Sequence, residues 1–261
     1  MTKDYWHRQT AAKPLFPDME WSRPENKRHA GKLLVIGGNA HGFAAPATAY
    51  TEAEKTGVGV ARVLLPDVIQ KVVGGFLPEA TFAPSTPSGS FAAKSLAEWL
   101  TEAAWADGVL LAGDLGRNSE TAIVVEQFLA EYHGQITLTK DAVDYITTNA
   151  QSVIDRADTT LVLSFAQLQK LAIHAKFQTA FTFDMDLIRL VDALNAFTTQ
   201  HVVQIIVKHL DMLVVAVDGQ VSTTKLVPDV PIWRVTYAAK AAVWWLQHPT
   251  TSFKALSTSV I

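Results

Sequence analysis

The chain has 261 residues, 49% of them apolar and 18% charged, a composition that can bury a substantial core and is unlike that of a disordered segment. A net charge of −3 and a pI near 6.2 give no electrostatic footprint for nucleic acid, and the absence of cysteine excludes disulfides, thiol catalysis and thiolate metal sites. No apolar run approaches the length of a membrane span, and the charged first twenty residues lack the apolar core of a signal peptide, so a soluble cytoplasmic protein is expected.

Residues 1–30 mix aromatic and charged side chains (Tyr5, Trp6, Trp21, Arg8, Arg23, Lys27, Arg28), while Pro14, Pro17 and Pro24 preclude a long helix. Trp6 and Trp21 point to an arm docked on the body or on a neighbouring subunit, and a homo-oligomer is expected. Residues 32–36 read as a short buried strand stopped by Gly37 and Gly38. Residues 44–56 predict a helix, with Pro46 in its first turn and Gly57 just past its end. Residues 60–65 form the next apolar run, ended by Pro66, so the unit is a parallel strand–helix–strand crossover. The turn 37–42 gathers backbone N–H groups beside a helix N-terminus. Those groups would face an anionic or polar ligand, or simply close the turn, and the residues leave both readings open. A dinucleotide fingerprint does not fit the glycine spacing. A Walker A loop fails because Phe43 and Ala44 stand where Lys and Ser/Thr are required.

Further along, residues 79–83 read as a short strand, 84–89 as a loop, and 91–104 as a helix capped by Ser90. A buried strand at 108–112 runs into the polar loop 113–118, followed by a helix at 119–132, a strand at 135–138 and a helix opened by Asp141. Residues 161–163 form a strand and 165–176 a helix. Asp184 and Asp186 head a helix that continues to residue 197, where their charge complements the helix dipole. A strand at 202–208 precedes a hairpin of 212–217 and 221–225 around Asp218-Gly219. The last long helix spans 236–247, and its Trp244 and Trp245 are expected to pack against the core or a subunit interface. Strands alternating with helices predict an α/β fold, a three-layer α/β/α domain over 31–261 with a mostly parallel central sheet. The eight histidines show no metal-ligand spacing and no metal site is identified; His41 stands out because it lies in the glycine turn.

The motifs Ile-Gly-Gly-Asn at 36–39, Ala-Ala-Pro at 44–46, Lys-Thr-Gly-Val-Gly at 55–59 and Leu-Pro-Asp at 65–67 resemble the opening of the ADP/ATP-dependent NAD(P)H-hydrate dehydratases. Leu77-Pro78-Glu79, the stretch from Ala106 to Arg117, and Glu120-Thr121 continue the resemblance, which covers roughly residues 28–225 and is most specific in its first ninety. It implies a ribokinase-like fold, a small-molecule ligand, ADP or ATP as nucleotide, and NAD(P)H hydrate as substrate. Carried over, it implies substrate contacts from Ala45 and Gly116, with Lys208 near the adenine nucleotide; Asn39, His41, Pro46, Gly113, Asp114, Arg117 and Asp141, in the same two loops and at the start of the helix after 135–138, are the further substrate-site candidates.

The family's glycine-rich G-[ST]-G-D helix start, whose Asp serves as base, has no counterpart. The corresponding stretch reads Pro-Ile-Trp-Arg-Val-Thr-Tyr, and Asp229 is its nearest carboxylate. The substrate-contacting histidine after Ser164-Phe165 is also missing, and Asp114 replaces a glycine. No catalytic residue is assigned. The expectation is a diverged member whose reaction is weak or lost, the alternative being an active dehydratase that recruits Asp114, Asp141 or Asp229 as base.

Overall fold

The N-terminal arm supplies β1 (Trp6–Gln9) and a single turn, α1 (Asp18–Trp21). The computed structural model describes residues 3–75, 77, 79–226, 230 and 232–261. The crossover unit comes next as β2 (Lys32–Gly37), α2 (Ala44–Thr56) and β3 (Val60–Pro66). Beyond it lie the short α3 (Gln70–Val73), β4 (Ala80–Ala83), α4 (Leu96–Trp105), β5 (Gly108–Gly113), α5 (Ser119–Glu131) and β6 (Gln135–Thr139). The C-terminal half runs α6 (Asp141–Thr147), α7 (Gln151–Ile154), β7 (Thr159–Leu163), α8 (Phe165–His174), α9 (Leu187–Gln200) and β8 (Gln204–His209). The hairpin β9 (Met212–Val217) and β10 (Gln220–Lys225) precedes α10 (Trp233–Gln247) and α11 (Ser252–Ser259).

The strands form one sheet in the order β1-β10-β9-β8-β7-β6-β5-β2-β3-β4, in which only β9 runs antiparallel to its neighbours. The central strands are buried throughout, as apolar runs covered on both faces should be. One face carries α2, α10 and α11, whose small residues Ala45, Ala49, Ala53, Ala238 and Ala241 bring the backbones close. The other carries α4, α5, α6, α8 and α9 around the aromatic trio Phe91, Trp99 and Phe128, packed edge-on at 4.9 and 5.4 Å. This is a three-layer α/β/α architecture.

Two local expectations change. The helix expected from residue 91 starts at Leu96, after a 3₁₀ turn at Ala93–Ser95, and Ser90 does not cap it. Ser90 instead closes a tight turn, its carbonyl accepting from Thr86 N at 2.7 Å, and Phe91 stays extended, with its carbonyl bonded by Thr121 Oγ1 (2.8 Å) and its ring sunk against Trp99. The arm becomes an edge strand, with Trp6 Nε1 donating to Thr223 Oγ1 (3.1 Å) and Gln9 Nε2 to Thr224 Oγ1 (2.8 Å). Trp244 and Trp245 are both buried in the body.

Helix α10 ends beside the edge of the sheet at which the parallel strands begin. A methyl group added at Gly31 or Gly108, at that N-terminal edge, would lie 3.3 or 2.7 Å from Leu246 near the end of α10. The start of α10 therefore lies at the opposite edge, where the strands deliver their C-terminal loops.

Candidate functional site

Strands β2 and β5 are neighbours, paired from Leu33↔Gly108 to Gly37↔Gly113, so loops 37–46 and 113–117 leave the sheet side by side. Ligands of open α/β sheets collect at this edge. The backbones touch here. A Cβ on Gly37 would sit 2.4 Å from the Gly113 carbonyl, which leaves glycine as the residue that fits. Gly38 N donates to that same carbonyl at 3.0 Å.

The glycine turn closes on itself. Asn39 N donates to Gly42 O (2.9 Å), Gly42 N to Asn39 O (3.1 Å), His41 N to Asn39 Oδ1 (2.7 Å) and Ala40 N to Gly89 O (2.8 Å). Every N–H from Gly38 to Gly42 thus has a protein acceptor, and of the two readings the turn-closing one describes this segment. The next anion position, the first turn of α2, holds a protein carboxylate. Asp114 Oδ2 accepts from Ala45 N at 2.7 Å, and Oδ1 is ion-paired with Lys140 Nζ. Asn39 Nδ2 fixes the Asp114 carbonyl at 2.5 Å. Asp114 and Lys140 both hold positive φ, 58° and 53°, a costly backbone for residues with a Cβ that the surrounding bonds must maintain.

Asp141, at the start of α6, differs from Asp114. Its Oδ2 accepts from Gly116 N at 3.2 Å, and its Oδ1 is buried without a partner. Burial, and then the nearby Asp114 charge, push its carboxyl above the ordinary carboxylate range. It borders a cavity of about 360 Å³ shared with Gly116, Arg117, Asn118, Asp144 and Tyr145. Tyr145 OH donates to Gly116 O (2.7 Å) and accepts from Asn118 N (3.1 Å), holding the loop in place. Arg117 is exposed, and among the described residues it has no carboxylate partner.

At the start of α10 the first turn carries no acidic residue, and it presents Arg234 instead. Arg234 Nη1 donates to Gln167 Oε1 at 2.9 Å. Gln167 forms a capping box with Ser164 at the start of α8 and donates through Nε2 to Lys140 O (2.7 Å) and Asp144 Oδ1 (3.1 Å). One amide therefore ties α8, α10 and the loop before α6 together.

The predicted residues divide into groups. Asn39, Ala45, Gly113 and Asp114 meet at the β2/β5 junction, with Pro46 packed beside Gly37. Gly116, Arg117 and Asp141 meet at the cavity. His41 points from the turn as an exposed side chain, and Lys208 lies on β8, three strands from β5. Asp229, and Pro78 of the Leu-Pro-Glu match, lie outside the described residues. Sequence reasoning assigned no role to Lys140, Tyr145, Gln167 and Arg234. Two of these carry local signals: Tyr145 stands four residues after Asp141, on one helix face, and Ser164-x-x-Gln167 is a capping-box pattern. Among the described residues no three His, Asp or Glu side chains converge into a group able to hold a metal ion.

No protein-family model matches the chain. Among solved structures it is similar to a ribokinase-like superfamily protein of Enterococcus faecalis (EF1790), with a TM-score of 0.75 at 14% identity over 99% of this chain and 87% of that one. It is also similar to the ADP/ATP-dependent NAD(P)H-hydrate dehydratase of Bacillus subtilis, co-crystallised with ATP and Mg²⁺, with a TM-score of 0.61 at 14% identity over 95% and 86% of the two chains. Among curated proteins, the bifunctional NAD(P)H-hydrate repair enzyme Nnr of Dictyoglomus turgidum is 24% identical over 128 residues, 48% of this chain. That match spans only a quarter (25%) of the longer enzyme's length. The fold is ribokinase-like, and the sequence resemblance to NAD(P)H-hydrate dehydratases extends to this curated repair enzyme.

Proposed function

We propose that this chain is a ribokinase-like small-molecule-binding protein, built like a nicotinamide-nucleotide repair dehydratase, in which the ADP/ATP-dependent dehydration of NAD(P)H hydrate is weak or lost. One observation carries the reading: the Asp114 carboxylate, clamped by Lys140, occupies the N-terminal turn of α2. Phosphoryl transfer needs a base for the attacking hydroxyl and N–H or cationic groups around the moving phosphate. Here the turn N–H groups are engaged, and the first turn of α10 offers Arg234 in place of a carboxylate. Loss of a positioned base costs ~10²–10⁴ in rate and loss of an anion-hole donor ~10²–10³, without simple multiplication.

A second reading has its own support. Asp141, with its raised pKa and unpartnered Oδ1 beside the cavity, has the character of a general base. In that case the chain is an active dehydratase using an unusual carboxylate, with ADP or ATP held near Lys208.

Turnover of hydrated NADH with ADP or ATP tests the choice. The proposal expects turnover absent or far below that of a relative with an intact G-[ST]-G-D motif. Robust turnover abolished by Asp141→Asn would replace it with the second reading. Binding is read separately as a melting shift with ADP, ATP, NADH and hydrated NADH, since a ligand at a hundredfold excess over Kd stabilises by about 2.7 kcal/mol. Assembly into a homo-oligomer belongs to the same proposal, supported by Trp21 on the arm, which is 90% exposed. Light scattering on the full chain and on Trp21→Ser checks it, and a monomeric full chain would remove it.

A further inference from the structure

A second cavity lies at the end of the sheet remote from the arm, where β4 forms an open edge and α4 packs over it. It has a volume of about 150 Å³, and its wall includes Leu64 of β3, Thr81 of β4, and Ala97, Glu98, Thr101 and Glu102 of α4. Sequence spacing accounts for this wall. Glu98 and Glu102 stand four residues apart and so share one face of the helix. Along β4 the side chains alternate. Ala80 and Phe82 pack on the α2 side and Ala83 joins the core on the α4 side, so Thr81 also faces α4.

Most polar groups here are satisfied within the protein. Glu102 Oε2 is ion-paired with Arg62 Nη1 at 3.3 Å, and the Arg62 guanidinium also stacks 3.9 Å from the Trp105 ring centre. Thr101 Oγ1 donates to Ala97 O at 2.7 Å. Two atoms are left over. Glu98 Oε2 and Thr81 Oγ1 are both buried, and neither has a hydrogen-bond partner. Lys94, one turn before Glu98, is exposed, and no ion pair to Glu98 forms among the described residues. Glu98 is thus the charged group of the wall that lacks a counter-charge. A carboxylate and a hydroxyl placed in this way need a hydrogen-bond donor, and a donor carrying positive charge gains most, because both oxygens have lost their water.

We propose that this cavity is a binding site for a small primary ammonium ion, its N–H groups on Glu98 Oε2 and Thr81 Oγ1 and its alkyl part against Leu64 and Ala97. Charge sets the sign: one uncompensated carboxylate suits a monocation, whereas an anion would meet two carboxylates. Calcium takes about six to eight oxygen ligands and magnesium an octahedral set. The wall offers two unpartnered buried oxygens beside aliphatic carbon, which suits an alkylammonium better than either metal. An engineered cavity of about 150 Å³ admits benzene, which is larger than a three-carbon amine. The site shares no residue with the candidate site at the C-terminal edge of the strands and does not depend on the function proposed for it.

A titration of the full chain with n-propylammonium chloride at constant ionic strength, followed in ¹H–¹⁵N correlation spectra, is the test. Saturable shifts are expected at the Thr81 and Glu98 amides. Affinity should fall at least about tenfold in Glu98→Gln, which keeps the shape and removes the charge, and at least about tenfold for neutral 1-propanol. Thr81→Val, which exchanges the hydroxyl for a methyl group, should weaken binding at least about threefold, and it decides the matter should Glu98→Gln fail to fold. Potassium chloride at the same concentrations should leave those amides unmoved. Absence of saturable shifts there, equal affinity for the alcohol, saturation of the same amides by potassium, or affinity unchanged in a folded Glu98→Gln or Thr81→Val protein would each overturn the proposal.

Discussion

Replacing Asp114 by glycine probes the contact on which the functional reading rests. The substitution removes the acceptor of Ala45 N and the partner of Lys140, and relieves a non-glycine residue of φ 58°. A hydrogen bond to a charged group contributes about 1.5–3 kcal/mol, and a carboxylate at a helix start about 0.3–1 kcal/mol, two descriptions that overlap for the same atom. The side chains of Lys140 and Asp114 are 26% and 19% exposed, so water screens the pair only in part. Against this, glycine recovers about 1–2 kcal/mol of left-handed strain. The balance is a net loss of about 1 kcal/mol, or roughly 2–4 °C in Tm for a protein of this size. Differential scanning fluorimetry reads that loss, and a second scan with added inorganic phosphate reads the consequence. With the carboxylate gone, the Ala45 amide and the Lys140 ammonium are free for an external anion, so phosphate should stabilise the variant more than the parent. A variant that destabilises as expected but shows no extra response to phosphate or ADP would refute the claim that Asp114 occupies an anion position. A Tm well above the parent's would refute the claim that the contact stabilises α2.

Two further predictions use the same cluster. Asp141 has its folded-state pKa raised, so the native state holds the proton more tightly than the unfolded chain. Its contribution to stability is therefore greatest below the unfolded pKa and is lost as pH rises through the folded one. Asp141→Asn should raise Tm near neutral pH, and its advantage should vanish below the ordinary carboxylate range; an unchanged or larger advantage in acid would contradict the assignment. A double-mutant cycle of Asp114→Asn and Lys140→Met, measured by urea unfolding, should give a coupling of about 0.5–1.5 kcal/mol, and additivity within about 0.3 kcal/mol would mean that the ion pair contributes nothing net.

The strands were legible because burial on both faces demands unbroken apolar runs, and 32–36, 108–112 and 161–163 are such runs. Helix α2 was legible from Pro46, its alanines and Gly57, which takes φ 89° as its C-terminal cap. The start of α4 was misjudged because Ser90 satisfies capping preference while its carbonyl is taken by Thr86 N, in a turn that leaves Phe91 with its ring against Trp99. Strand β1 carried no pattern, since Trp6-His7-Arg8-Gln9 alternates nothing apolar. Its stability comes from partners more than two hundred residues away, such as Thr224 for Gln9. The site was readable as far as which loops converge. It was not readable as far as what fills them, because the bonds Asp114–Ala45, Asp114–Lys140 and Gln167–Arg234 span 69, 26 and 67 residues.

Those long-range bonds bear on which capacities the edge retains. Lys140 and Arg234, the cations nearest the β2/β5 junction and the start of α10, are each committed to a protein acceptor. Arg117 beside the cavity and Lys208 on β8 have no carboxylate partner among the described residues. Three strand spacings, about 14 Å, separate their parent strands, farther than one phosphate can bridge. A ligand meeting both would need anionic or polar groups at two ends, as a nucleotide-sized molecule has, and it would find neither cation ion-paired, while the β2/β5 junction, on the far side of β5 from β8, stays closed. On the proposed reading, binding and turnover draw on different residues. The groups that would hold a ligand's ends lack a counter-charge among the described residues, and the groups that would work on a phosphate are already bonded to the protein.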